Sequence, residues 1–457
     1  MSVRARRERL AERVGRAPVL LMAGAPVPRN FPANPHPFRA SSHFLYFVGR
    51  APPGSAALME SGSCALFVPR PDPDDILWHG PPERDTAALE EATGCTVRHL
   101  DELEAAVARA GGQVATLPAP DAASRALQQE LLGRPIRTGW LVGPDERLAE
   151  AVVALRLVHD AEAVAELRRA VDATAAAHRG GMAATRPGLR EREVWAAMQA
   201  ELTARGSPPA YGPIVTVRGE VLHDETQHRA LRPEDLLLAD VGGESAGGWA
   251  SDVTRTWPVT GRFTPSQRAL YEVVLTAQRA AIAAVAPGAR FRDVHLAACR
   301  ALAEGLVGLG ILRGDPEELV GDGVHALFFP HGVGHLIGLD VHDMEDLGDR
   351  AGYPPGRTRD PRFGLSALRL DRELASGMAV TIEPGFYQVP GLLADPARVG
   401  LSDAAVDRAQ LARHADVRGI RIEDDVLVTD GGAEVLSAAI PKEPSEVEAA
   451  VGIRPTP

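Results

Sequence analysis

The stretch from Leu237 to Trp257, LLADVGGESAGGWASDVTRTW, offers two chemistries that exclude each other. Its centre, GESAG, matches G-x-S-x-G, the elbow that presents a nucleophilic serine, here Ser245. Its flanks hold Asp240 and Asp252, which could face each other as metal ligands across a β-hairpin and leave Ser245 a turn residue. An elbow requires a strand, a tight turn and then a helix that starts at once. After Ser245 the chain reads AGGWASDVTRTWPV, two glycines and then alternating β-branched residues, which is a strand signature. No HGGG-type oxyanion motif lies upstream. The hairpin reading places Asp252, Thr254 and Thr256 on one strand face. Taken alone, two such aspartates are also ordinary turn formers at strand ends.

Three further segments shift the balance. FFPHGVGHLIGLDVHD gathers His331, His335 and His342. His331 and His335 have the spacing of a helical metal pair, but Gly332, Gly334 and Gly338 argue for a loop. MAVTIEPGFY carries Glu383 from a strand into a Pro-Gly turn. GIRIEDDVLVT is another strand, with Ile420, Ile422, Val426 and Val428 on one face and Arg421 and Glu423 on the other. A carboxylate inside such apolar runs is costly unless paired or coordinated.

The elements that must position these groups belong to a chain of 457 residues, long enough for two or three packed domains. The net charge of −12 leaves no basic footprint for nucleic acid. Lys442 is the single lysine, so neither a Schiff-base cofactor site nor a P-loop is available. Cys64, Cys95 and Cys299, odd in number and far apart, fit a reducing compartment without a disulfide framework, and the location expected is cytoplasmic. Glu8 and Glu12 interrupt the basic N-terminus, which reads as an amphipathic helix before a first strand, PVLLMAG, rather than a signal peptide. No apolar run approaches the ~20 residues needed to span a membrane.

Up to about residue 145 short apolar runs (PVLLMAG, FLYFVG, SCALFVP, TVRHL, QVATLP), read as strands, alternate with helical patterns, the signature of a small α/β domain. Beyond it lies a long helical stretch, with Asp145 as a cap, a restart at Asp160, and Gly180 and Gly181 ending it. A later helix starts at TPSQRALYEVVL, with Thr264 as cap and Pro265 at its first position. PGLREREVWAAMQAEL from Pro187 and PGARFRDVHLAACRAL from Pro287 repeat Pro, Gly, Arg, Arg and Val at matching offsets. Chance in an Ala/Arg-rich chain could produce this; the functional alternative is two similar α+β halves with a site between them.

The order Asp240, Asp252, His335, Glu383, Glu423 resembles the pita-bread metallopeptidases. HGVGHLIGLDVHD, TIEPGFY and GIRIEDD are similar to its proline-specific branch, aminopeptidase P and prolidase, over roughly residues 155 to 440, and FRASSHFLYFVG more weakly resembles that branch's N-terminal domain. The resemblance implies an α+β pita-bread catalytic domain with an internal pseudo-twofold repeat at 151–445, after a smaller α/β domain at 1–150 and before a tail at 446–457. It implies two divalent ions, manganese first with cobalt or zinc as alternatives. Asp252 and Glu423 would bridge both, Asp240 would hold one, and His335 and Glu383 the other. Glu383 would also carry a proton to the leaving nitrogen. His331 and His342 would hold substrate and stabilise the tetrahedral intermediate, His223 would line the pocket, and Arg421 and Thr254 would orient the carboxylates. The substrate implied is a peptide or dipeptide with proline second, cleaved by an Xaa-Pro aminopeptidase or a prolidase; a homo-oligomer stays open. Two departures stand out: the Asp240–Asp252 gap is one residue longer than the family's usual spacing, and a long insertion occupies 343–376. Rival classes are a metal-free binding protein of the same fold and a serine hydrolase using Ser245. Ser245→Ala is expected to leave peptidase turnover within about threefold, because a turn residue contributes under ~1 kcal/mol to the barrier. A loss of several orders of magnitude in steady-state assays would restore the elbow.

Overall fold

The computed structural model describes residues 2–452 except Arg16, Asp72, Pro82, Gly112 and Pro396. Its contacts fall into two units, one up to Ala163 with Met344–Arg350, the other Val164–Asp343 with the chain from Ala351 onward.

The first unit is built on five strands, β1 (Val19–Met22), β2 (Ala56–Glu60), β3 (Ser63–Val68), β4 (Thr96–His99) and β5 (Ala115–Thr116), in the order β4-β3-β2-β1-β5. The apolar run of β1 is buried throughout, as an interior strand demands. Leu20, Met22, Leu58, Phe67, Leu103 and Val107 form the core under it. FLYFVG departs from the strand expectation. It lies in a helix, Ser42–Phe47, whose N-cap Ser41 accepts from Phe44 N at 3.4 Å, and all six residues are buried. A short apolar run buried on every side has no periodicity that separates the two. Asp145 is not a cap either. Gly143 caps the helix Pro144–Arg156, while the Asp145 carboxylate accepts from Thr116 N at 2.8 Å and Arg134 Nη2 at 2.7 Å. Cys64 and Cys95, expected as free thiols, are joined as a disulfide, with Cα atoms 4.8 Å apart. Parallel pairing of β3 with β4 brings these sequence-distant positions together. Part of the insertion also belongs to this unit: His43 Nε2 meets Asp346 Oδ2 at 2.9 Å.

The second unit repeats one theme twice. β6 (Ile214–Thr216), β7 (Leu236–Asp240) and β8 (Thr254–Pro258) form one antiparallel meander. β9 (Ala379–Ile382), β12 (Asp424–Thr429) and β13 (Gly432–Val435) form the other, with β10 (Gly385–Tyr387) and β11 (Gly419–Arg421) paired beside it. The sequence repeat falls at corresponding places. Gly188 and Gly288 both have positive φ, 90° and 82°, and their N–H groups donate to Leu231 O and Leu374 O. Glu191 N and Phe291 N then donate to Arg229 O and Arg372 O, and the helices Glu191–Ala204 and Phe291–Gly308 begin. The repeat is therefore structural, not an accident of composition.

The helix Ala161–Ala184 runs through Gly180 and Gly181 instead of ending there. The glycines serve close packing. A Cβ at Gly180 would lie 2.8 Å from Glu201 Cγ, and one at Gly181 2.7 Å from Met198 Cγ. Thr264 caps Pro265–Ala283 as expected, accepting from Gln267 N.

Arg255 and Asp424, both fully buried, fasten β8 to β12. Arg255 Nη2 donates to Asp424 Oδ1 at 2.7 Å, and Nη1 to Glu423 O at 2.5 Å. Lys442 Nζ, Gln278 Nε2 and Ser437 Oγ complete the shell of Asp424, so the lone lysine is structural. Arg255→Met is expected to lower the unfolding free energy by about 3–5 kcal/mol, since one partner of a buried pair is removed and the other stays. Urea denaturation measures this; a loss of about 1 kcal/mol or less, as for exposed pairs, would contradict it.

Candidate metal centre and active site

Each acidic group sits where a strand starts or ends, so the backbone is held while the side chain reaches out. Asp240 ends β7, and Asp252 lies just before β8, with Asp240 paired to Thr254 across the hairpin. Glu383 comes directly after β9, and Glu423 precedes β12. His335 lies in an irregular segment stitched to β9: its N–H donates to Thr381 Oγ1 at 3.0 Å and it returns a carbonyl to Thr381 N. That close approach explains a glycine of the run, because a Cβ at Gly334 would lie 1.9 Å from Thr381 O. Asp252, His335 and Glu423 offer ligand atoms all within 4.8 Å of one another, and all three are buried. Glu383 Oε1 is 3.8 Å from His335 Nε2. Asp240 is connected to the group by two neighbours and does not join that tight trio.

One of those neighbours, Tyr211, is invisible in the sequence. Its Oη lies 2.6 Å from Asp240 Oδ1 and 2.6 Å from Asp252 Oδ1. A lone tyrosine in an irregular segment carries no pattern that points to this. The other is Arg421, which the strand pattern places on the face of Glu423. It donates through Nη2 to Asp240 Oδ2 at 2.6 Å, through Nη1 to Tyr387 Oη at 3.1 Å, and through Nε to Thr254 Oγ1 at 3.0 Å. Thr254 in turn donates to Glu423 Oε2 at 2.6 Å. Arg421 thus fixes Asp240 directly and Glu423 through Thr254. Asp425 accepts from Ser251 Oγ at 2.8 Å and from Asp252 N at 3.2 Å, steadying the backbone of Asp252.

The charges do not balance without cations. A phenol has one hydrogen, yet Tyr211 meets two carboxylate oxygens at 2.6 Å. His335 Nδ1 is directed at Leu336 O at 3.0 Å, which places the lone pair on Nε2. That lone pair faces Asp252 Oδ2 at 3.3 Å. Two electron-rich atoms in that position need a proton or a cation between them. The titration directions agree. Burial first, then Asp252, Glu383 and Asp240, push Glu423 well above the usual carboxylate range. Burial and Asp240 raise Asp252, and burial raises Glu383 to about 7. Burial alone would depress His335, but Asp252 and Glu383 outweigh it and carry it up to about 9. A hard, oxygen-rich donor set with one imidazole in its ligand tautomer fits divalent cations.

The remaining candidates surround this centre. His331 Nδ1 is directed at Gly332 O at 2.8 Å and lies 3.6 Å from Glu383 Oε2, while Nε2 meets Tyr387 Oη at 2.9 Å. Burial, then Arg421, lower His331 to about 3, so it is neutral. The His342 ring packs edge-on against His335 with centroids 4.3 Å apart, and it too is held neutral by burial and His335. His223 lies in a turn. Ser245 Oγ accepts from Gly247 N at 3.2 Å and Trp249 N at 3.3 Å inside the turn, with no helix after it.

Residues 165–430 match the model of metallopeptidase family M24, and residues 3–116 match the aminopeptidase P N-terminal domain. A protein of Fusarium vanettenii named as a probable Xaa-Pro aminopeptidase is 33% identical over 422 residues, covering 91% of this chain and 88% of its own. The structure of Pseudomonas aeruginosa aminopeptidase PepP is similar at a TM-score of 0.80 and 29% identity, with 98% of each chain covered. Proline aminopeptidase P II from Yersinia pestis is similar at 0.79 and 30% identity, covering 99% of this chain and 100% of its own.

The charge imbalance has a pH signature. Glu383 and His335 have raised pKa values in the folded state, so their contribution to stability is present at low pH and is lost as pH rises through about 7 and about 9. Above pH 7 the depressed histidines are neutral folded or unfolded and add no opposing slope. Chelator-treated protein is therefore expected to melt at progressively lower temperature from pH 7 to pH 9, and divalent metal to flatten the profile. A metal-free melting temperature that rises over that range would contradict the assignment.

Proposed function

The chain belongs to metallopeptidase family M24, and from that premise we propose how its residues act as a metal-dependent aminopeptidase that removes an N-terminal residue preceding proline. The observation that carries the reading is the buried cluster of Asp252, His335 and Glu423, flanked by Asp240 and Glu383, whose charge demands cations. Relatives named as Xaa-Pro aminopeptidases over nine-tenths of the chain favour an aminopeptidase over a prolidase. The ordered turn at Ser245 speaks against a serine nucleophile, and the intact ligand set against a metal-free binding protein.

In this reading Asp252 and Glu423 would be shared between two divalent ions, Asp240 would serve one, and His335 and Glu383 the other. Such ions, when bound, acidify water and polarise a carbonyl, so no serine or cysteine nucleophile is needed. The protein's own groups do the rest. Arg421 and Thr254 hold Asp240 and Glu423 in place before substrate arrives. Glu383, whose proton affinity is already shifted to near neutrality, takes a proton and passes it to the leaving proline nitrogen. His331, His342 and His223 contact the peptide, and the neutral rings of the first two accept or donate without adding charge. Manganese is the metal we assign first, by its fit to oxygen ligands, with cobalt or zinc as substitutes. The domain limits 1–150, 151–445 and 446–457 belong to this proposal, as does a cytoplasmic location. Among the described residues no helix is long and apolar enough to cross a membrane, and the Cys64–Cys95 bridge is the feature that argues for an oxidising compartment.

Purified protein is expected to cleave Gly-Pro-Pro-type peptides, to lose that activity to a chelator, and to regain it with manganese or cobalt. Full turnover without metal, or cleavage confined to the dipeptide Gly-Pro, would overturn the reading. Arg421→Lys is expected to keep its metals but lose roughly 10- to 100-fold in kcat/KM, because lysine cannot reproduce the planar fork that holds Asp240, Tyr387 and Thr254 together. Glu423→Gln is expected to lose metal and activity together. Metal counting beside kinetics separates the two.

A further inference from the structure

A second group of potential ligands lies outside the carboxylate centre and shares no residue with it. His295 and Cys299 are one helical turn apart on Phe291–Gly308, the spacing that places two side chains on one face. His325, on the short 3-10 helix Val324–Leu327, completes the group. All three are buried, and their ligand atoms lie within 4.8 Å of one another. Cys299 Sγ is 3.4 Å from His295 Nε2. A tetrahedral ion with bonds of about 2.3 Å to sulfur and about 2.05 Å to nitrogen would hold the two atoms about 3.5 Å apart.

The group is poorly explained as ordinary core. Neither ring nitrogen of His325 has a hydrogen-bond partner among the described residues, nor has His295 Nδ1. A buried polar atom left unsatisfied costs about 1–3 kcal/mol. A leucine or phenylalanine would fill the same space at no such cost. Burial also lowers His295 to about 3 and His325 to about 4, so both rings are neutral; His295 Nε2 also faces Gly364 O at 3.2 Å, whereas the lone pair of the His325 ring accepts no hydrogen bond among the described residues. His325 in addition lines a cavity of about 360 Å³ whose walls carry Glu317 and Asp322 together with Arg292, Arg300 and Arg362. Phe363 and Leu365 flank Gly364, where a Cβ would come within 2.9 Å of His325 Nε2. That glycine leaves room beside the ring.

We propose that His295, Cys299 and His325 form a second cation site, for a soft thiophilic ion of the zinc or cuprous copper class. Thiolate with imidazole selects such ions, whereas the carboxylate centre selects harder ones. Binding replaces the S–H bond of Cys299 with a sulfur–metal bond and releases that proton to solvent. One thiolate neutralises a cuprous ion and leaves zinc with a single positive charge.

Cobalt reports the site directly, because only a thiolate gives a sulfur-to-cobalt charge-transfer band in the near ultraviolet. Chelator-stripped full-length protein loaded with Co2+ is expected to show this band. The band should persist in Glu423→Gln and in the Cys64→Ser/Cys95→Ser variant, vanish in Cys299→Ser, and need at least tenfold more cobalt in His325→Asn. Zn2+ or Cu+ should displace it and Mg2+ should not, and the more effective of the two identifies the ion. Absence of the band from the wild type, with Cys299 shown to be reduced by thiol counting in denaturant, would overturn the proposal whether or not any variant folds. So would a band that survives in Cys299→Ser, or one that Mg2+ displaces equally well. Because Glu423→Gln disables only the carboxylate centre, failure here is separable from failure of the peptidase assignment.

Discussion

Four carboxylates directed at one poorly hydrated place repel one another, and much of the second unit is arranged to hold them there. Asp240, Asp252, Glu383 and Glu423 each leave a strand terminus, where the backbone is fixed by ladder hydrogen bonds and cannot retreat. Arg421 supplies one permanent positive charge, shared through a fork to Asp240, Tyr387 and Thr254. Tyr211 supplies a single proton to two acceptors. Even so, Glu423, Asp252 and Glu383 remain shifted towards their protonated forms. The fold thus stores an electrostatic deficit, and divalent cations are what would discharge it. The same preorganisation keeps the ligands from having to reorganise when a substrate carbonyl arrives.

The pseudo-twofold arrangement explains how one chain assembles such a place from remote segments. β7 and β8 contribute Asp240 and Asp252 from one meander, and β9 and β12 contribute Glu383 and Glu423 from the other. The buried Arg255–Asp424 pair lies immediately next to Thr254 and Glu423 in the chain. Neutral His331 and His342 then lie beside the centre without bringing a charge of their own. In this arrangement the backbone that the buried ion pair anchors also carries Thr254 and Glu423, which hydrogen-bond to each other beside the acidic cluster.

The candidate ligands stand out in the sequence because their chemistry clashes with their surroundings. Acids inside alternating apolar runs, and histidines flanked by glycines, are expensive anywhere but at a site. Residues whose role depends only on tertiary neighbours leave no such trace. Tyr211 sits in an irregular stretch, and Asp425 reads as one more acid after Glu423 although it steadies Asp252. The same limit accounts for the misread elements. Gly180 and Gly181 look like a helix stop until Glu201 and Met198 are seen packed against them. FLYFVG is apolar on every side, so its helical state depends on a cap and a core, not on periodicity. Cys64 and Cys95 are far apart in the chain, and only the β3–β4 pairing makes them neighbours.

The central claim is that the carboxylate cluster holds two cations at once. Anomalous diffraction from crystals loaded with manganese, collected at and away from the manganese edge, tests it without reference to turnover. The account predicts two anomalous peaks about 3.5–4 Å apart, both within bonding distance of Asp252 and Glu423, one also against Asp240 and the other against His335 and Glu383. A single peak, or two that do not share Asp252 and Glu423, would contradict it.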